Sequence, residues 1–163
     1  METIYFESAR EVKKNKRELE EKLKVAIAFQ GRKASIEGQP FAEYEASMVL
    51  EAINFGFSAK AALQLTDEQF IFRKIPIKNF TKRKNLKEVR ARIIGREGKT
   101  KRTLEEISGC SIIVKDSNMI GIIGSAESIE EATTALANLI RGSKQANIYR
   151  FLERMNAERK KYK

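Results

Sequence analysis

Residues 92–106 read RIIGREGKTKRTLEE. Gly95 and Gly98 stand three apart between two helix-forming stretches, and Lys99, Lys101 and Arg102 follow at once. Glycine tolerates the backbone of a tight turn and carries no Cβ to hold a phosphodiester at a distance. A helix opening after Gly98 turns its free N–H groups and the positive end of its dipole to the same place. Upstream, Leu86, Val89 and Ile93 are spaced i, i+3, i+7, which is one face of a short helix ended by Gly95. Downstream, Leu104 and Ile107 face inward and Gly109 suits the position just past a helix end.

The flanking segments complete a small domain. Residues 70–77 (FIFRKIPI) have the aromatic and β-branched content of a strand, and Pro76 assigns its end to a sheet edge. Residues 111–115 and 119–123 read as paired strands joined by a turn at Asp116-Ser117-Asn118. Ile129, Ala132, Leu136, Leu139 and Ile140 form the inner face of a helix stopping near Gly142. The order is β-α-α-β-β-α. A further helix puts Ile148, Phe151, Leu152 and Met155 toward the core, and residues 159–163 read as a frayed basic tail.

The same module occurs twice. Residues 14–29 (KNKRELEEKLKVAIAF) and 99–114 (KTKRTLEEISGCSIIV) align without gaps at seven identities, among them Glu20/Glu105 and Ile27/Ile112. Farther on, Glu45, Ala46, Leu50 and Gly56 fall against Glu131, Ala132, Leu136 and Gly142 with one residue of offset. The divide is expected near Thr66, giving domains 1–66 and 67–163. In the first copy a strand is expected at residues 3–6, a helix at 14–23 and strands at 25–29 and 33–36. Ala46, Val49, Leu50 and Ile53 supply the inner face of its closing helix, and Ser58 caps a short linker helix. Arg10-Glu11-Val12-Lys13 takes the place of the glycine loop, and the first helix is expected to be missing.

Charge is as uneven as the glycines. The chain of 163 residues carries +10, and residues 1–77 hold 12 basic and 12 acidic side chains, so the whole excess lies in the second half. Eleven of the basic residues crowd into 78–102 with only Glu88 and Glu97 among them. Such a field attracts a polyanion. The absence of histidine removes catalytic triads and His-ligated metals. A single cysteine, Cys110, excludes a disulfide framework and reads as a small core residue. Nothing calls for a cofactor or metal. No run of about 18 apolar residues and no apolar leader is present, so the chain is expected to be soluble and cytoplasmic, away from membranes.

The βααββα order with Ile93-Ile94-Gly95-Arg96-Glu97-Gly98 resembles a type I KH domain, whose GXXG loop clamps about four nucleotides of single-stranded nucleic acid. The fold class this implies is α+β, two tandem type I KH-like domains, the first degenerate and without the loop. The runs at 92–106, 120–132 (IGIIGSAESIEEA) and 148–153 (IYRFLE) are similar to a narrower group, the archaeal and eukaryotic KH-domain factors of small ribosomal subunit assembly (the partner-of-Nob family). That resemblance implies binding to the 3′ region of small-subunit pre-rRNA. It also implies assistance to a PIN-domain endonuclease and, in archaea, a link to the alpha subunit of initiation factor two. The RNA-contacting positions it implies are Gly95, Arg96, Glu97, Gly98, Lys99, Thr100, Lys101 and Arg102; beside them Arg90, Arg92 and Ile94 are expected to contact RNA as well, Arg90 along the backbone and Ile94 as apolar floor. Ile93 and Ile113 are floor or ordinary core, and Arg83, Lys84 and Lys87 would track the backbone outside the groove. Two residues depart from the KH pattern. Lys101 stands where an apolar residue is usual, and Glu97 sets a carboxylate on the loop, either paired with Lys99 or Arg102 or accepting a base amino group. Replacing Gly95 and Gly98 together by Asp is expected to abolish RNA binding with the fold intact.

Three other readings remain open from sequence. One is a general KH factor in transcription termination, RNA degradation or translation. The second is a metal-dependent nuclease, against which the acids Glu20-Glu21, Glu105-Glu106 and Glu130-Glu131 read as solvated helix faces. The third is a protein scaffold whose basic face meets an acidic partner.

Overall fold

The computed structural model describes residues 1–161, which form two compact units divided between Phe70 and Ile71. The first unit runs β1 (Glu2–Tyr5), α1 (Arg10–Lys14), α2 (Lys16–Leu23), β2 (Ala26–Gln30), β3 (Lys33–Glu37), α3 (Pro40–Phe55) and α4 (Ala59–Ala62), the last continued by a 3-10 turn at Leu63–Thr66. Its antiparallel sheet has the order β1-β3-β2, with Ile4 opposite Ala34 and Ile27 opposite Ile36. The alternation predicted for a half-buried strand is visible in β3, where Ala34 and Ile36 are buried between more accessible neighbours. Helix α3 closes the core with Ala46, Val49, Leu50 and Ile53, as its spacing predicts. The Ser58 side chain accepts from the Ala61 N–H at 3.1 Å and starts α4.

The second unit runs β4 (Phe70–Pro76), α5 (Leu86–Ile94), α6 (Lys99–Ser108), β5 (Ser111–Val114), β6 (Met119–Ser125), α7 (Ala126–Ile140) and α8 (Gln145–Lys161). Its sheet order is β4-β6-β5, so β4 lies at an edge where Pro76 removes no central hydrogen bond. Val89 and Ile93 of α5, Leu104 of α6, Ile112, Ile120 and Ile122 of the strands and Leu136 of α7 share one core. Gly109 ends α6 in the left-handed conformation, φ 72°. Ile148 and Leu152 of α8 join that core, whereas Phe151 and Met155 are half-buried.

Three expectations are corrected. The first copy keeps its first helix: Arg10–Lys14 form α1, with Val12 fully buried beneath it. Only the glycine loop is missing, replaced by Asn15 at φ −109°, whose amide donates to the Glu11 carbonyl at 2.9 Å and carboxylate at 3.0 Å. Second, the tail does not fray at Arg159. That guanidinium bonds Ser128 and pairs with Glu131 at 3.1 Å, so α8 runs on to Lys161, and Tyr162 and Lys163 lie outside the described residues. Third, the Glu-Glu pairs are not all solvated. Glu20 accepts from the Ile27 N–H at 2.9 Å and Glu105 from the Ile112 N–H at 3.0 Å, the same brace in both copies. Glu130 pairs with Arg73 at 2.7 Å.

The copies share a further detail. A Cβ on Gly38 would meet Val25 Cγ1 at 2.9 Å, and one on Gly124 would meet Cys110 Sγ at 2.7 Å. Val25 and Cys110 occupy the same place in the repeat, each packed onto the bare backbone before the closing helix. Cys110 is buried, as expected, and burial pushes its thiol up, the Ser108 hydrogen bond offsetting part of this.

Candidate nucleic-acid interface

Helix α5 ends at Gly95, a one-turn loop follows, and α6 begins at Lys99. Three of the four loop residues have positive φ: Gly95 at 77°, Glu97 at 55° and Gly98 at 76°. For Glu97 that geometry costs about 1–2 kcal/mol relative to the right-handed region. It is held by two bonds, Gly98 N–H to the Gly95 carbonyl at 3.2 Å and Arg102 Nη2 to the Glu97 carbonyl at 3.1 Å. Arg102 thus grips the Glu97 backbone and leaves the exposed carboxylate without a partner among the described residues. The Lys99 N–H at the start of α6 donates back to the Arg96 carbonyl, and no side chain of the N-cap residue caps the N–H groups that follow it.

The two glycines do different work. A Cβ on Gly95 would lie 2.1 Å from Thr100 Oγ1 and 2.8 Å from Thr100 N, whereas one on Gly98 would meet nothing within 4 Å. Gly95 therefore lets the loop close against α6, and Gly98 leaves the outer surface of the turn bare. The double Asp replacement would also cost stability, because any side chain in place of Gly95 would displace Thr100.

Apart from the two glycines, the nine other residues named from sequence divide into two groups. Arg96 and Lys99 are exposed beside the loop and make no ion pair among the described residues. Arg102 and Glu97 are exposed too, and Ile94 is half-buried outside the core cluster. The others point into the domain. Thr100 is 4% exposed and its hydroxyl accepts from Gln145 Nε2 at 2.9 Å, at the start of α8. Arg92 Nη2 donates to the Ser143 carbonyl at 2.8 Å, and Arg90 donates to the Asn118 side chain in the β5–β6 turn. Lys101 reaches Glu105 at 3.0 Å and the Ile112 carbonyl at 3.1 Å. Its methylene stem fills the apolar place of the common pattern while its ammonium is tied to β5. Ile93 is core, and Ile113 is half-buried outside the core cluster. Arg83, Lys84 and Lys87 are exposed at and before the start of α5.

What sequence reading missed is the bracing that presents the loop: Glu105, Gln145, Ser143 and Asn118. The identity of Glu20/Glu105 and Ile27/Ile112 carried a signal for the first of these. Nothing in composition or spacing marks the other three. Among the described residues no three acidic or cysteine side chains gather as a metal centre would need.

A split β-α-α-β-β-α fold with an open GXXG turn at an uncapped helix start defines a type I KH domain, built here in tandem with a loopless copy. A family model of the second KH domain of PNO1, described as a eukaryotic-type KH domain (KH-domain type I), matches residues 71–157. The chain is 34% identical over 125 residues to a KH domain-containing protein of Methanocaldococcus jannaschii, covering 76% of this chain and 53% of that one. It is 35% identical over 109 residues to the RNA-binding protein PNO1 of Oryzias latipes, covering 64% and 44%. The chain thus spans about half the length of the curated relatives it matches. Among solved structures it is similar to Dim2p of Pyrococcus horikoshii, with TM-score 0.81 and 32% identity over 94% of this chain and 98% of that one. It is also similar to a chain of the a/eIF2alpha–aDim2p–rRNA complex of the same organism, with TM-score 0.80 and 30% identity over 96% and 94%. The chain belongs to the PNO1/Dim2 family of KH-domain proteins.

Proposed function

We propose that the chain is a single-stranded RNA-binding factor of small ribosomal subunit assembly that holds the 3′ region of the small-subunit rRNA at the loop Gly95–Gly98. The observation that carries this reading is the uncapped start of α6 beneath a bare Gly98, flanked by exposed Arg96 and Lys99. A phosphate there accepts from backbone N–H groups while the two cations neutralise its neighbours. Ile94 and Ile113, left outside the core, offer bases an apolar surface, and the free Glu97 carboxylate accepts an exocyclic amino group. Arg90, Arg92, Thr100 and Lys101 contribute by bracing the loop, and their side chains do not touch RNA.

The chain acts by binding and leaves cleavage to a separate PIN-domain endonuclease, in the cytoplasm. The alpha subunit of initiation factor two, present with aDim2p and rRNA in the complex this chain resembles, is its second protein partner. No helix among the described residues is long and apolar enough to cross a membrane. Crosslinking in cells, read at nucleotide resolution, tests this. Sites concentrated at the 3′ end of the small-subunit rRNA, and lost with Arg96→Asp, are the expected result. Sites scattered over many transcripts favour a general KH factor in termination, degradation or translation.

A further inference from the structure

Helix α3 carries two apolar stripes where a surface helix needs one. The inner stripe, Ala46, Val49, Leu50 and Ile53, is 0–5% exposed. On the outer face Phe41, Tyr44 and Met48, again spaced i, i+3, i+7, are 71%, 61% and 37% exposed. Together with Leu65 from the following turn they line a groove of about 330 Å³, whose remaining walls include Glu45 and Glu68. The fold does not ask for this stripe. In the second copy the matching positions on α7 are Glu127, Glu130 and Thr134, all exposed and polar.

The charge around the groove states what would fill it. Residues 40–70 contain five acids and one base, Lys60, in a chain that is otherwise strongly basic. Glu45 and Glu68 have no ion pair among the described residues, and Glu45 is half-buried. RNA is repelled by such a rim, and an acidic polypeptide likewise. Aromatic and methionine side chains at helical spacing match the side chains of a second helix laid along them.

We propose that this groove docks an amphipathic helix of a partner protein, apolar on one side and lined with Lys or Arg along its edges. The assignment is independent of the RNA site. Its test is an NMR titration of the isotopically labelled full chain with a synthetic Leu/Lys amphipathic helix of about 18 residues, five turns long, and with its Leu/Glu counterpart. Amide shifts confined to α3 and the turn at Leu63–Thr66, saturating with the Leu/Lys peptide and absent with the Leu/Glu peptide, are expected. Replacing Phe41→Glu, Tyr44→Glu and Met48→Thr, which copies the second unit, should weaken that binding roughly tenfold or more, with RNA affinity unchanged. Shifts scattered over the chain, equal binding of the Leu/Glu peptide, undiminished binding by the variant, or loss of RNA affinity would each overturn it. So would self-association of the parent chain that the variant abolishes, since the groove would then belong to a second copy.

Discussion

Gly95 and Gly98 look interchangeable in the string GREG, yet their surroundings separate them. Gly95 has φ 77° and ψ 176°, a region almost closed to other residues, and Thr100 fills the space a side chain would need. Gly95→Ala should destabilise the chain by about 2–4 kcal/mol, combining backbone strain with overpacking. Gly98→Asp, facing open space in the left-handed region, should cost only about 1 kcal/mol. It should nevertheless lose RNA affinity by roughly tenfold or more, because its carboxylate sits where a phosphate must approach. Urea denaturation and RNA titration of the two single variants check the pair. Equal stability loss would mean the loop is not packed against α6 as described.

At the scale of elements, each unit hangs its second helix on its second strand through one carboxylate. Removing Glu105 or Glu20 orphans the N–H of Ile112 or Ile27. Glu105→Ala and Glu20→Ala should each cost about 1–3 kcal/mol in denaturant unfolding. The Glu105 variant should lose more, since Lys101 loses its partner as well. Helix α8 is tied down differently, by Arg159 against Glu131 and Ser128. Burial pushes the Glu131 carboxyl above the usual carboxylate range, and Arg159 pulls it only partly back. A raised folded-state value means the protonated form is favoured on folding. Its contribution is therefore full below the unfolded-state value and is lost as pH rises through the raised one. Glu131→Gln, which never ionises, should gain stability relative to the parent as pH rises out of the ordinary carboxylate range toward neutrality. Melting curves across that range that run parallel would remove this account.

Across the whole molecule the two copies differ in charge. Lys14 and Lys99 are the same position of the repeat, but Lys99 follows a glycine loop and Lys14 ends α1. Lys99→Glu should weaken RNA binding roughly tenfold and lower the slope of log affinity against log salt by about one to two. Lys14→Glu should leave affinity within about twofold. The excess charge beyond residue 77 favours a polyanion at the second unit, as proposed, and the acidic stretch 40–70 disfavours one at the first. Similar effects from both substitutions would show that the first unit binds RNA too.

The chain's own letters determined the repeat, the order of elements in the second unit, the KH loop and the crowding of positive charge beyond residue 77. These rest on local properties: apolar spacing, glycine and proline conformations, and charge counted along the chain. Which of the eleven residues near the loop face outward was decided only by tertiary packing. Thr100 and Arg92 are held by Gln145 and Ser143, 45 and 51 residues away, and no local pattern registers so distant a partner. The survival of α1 is a similar case, because a five-residue helix has little propensity of its own and persists through the burial of Val12. The outer stripe of α3 was in plain view as letters but had no meaning until the fold showed that its inner face alone completes the core.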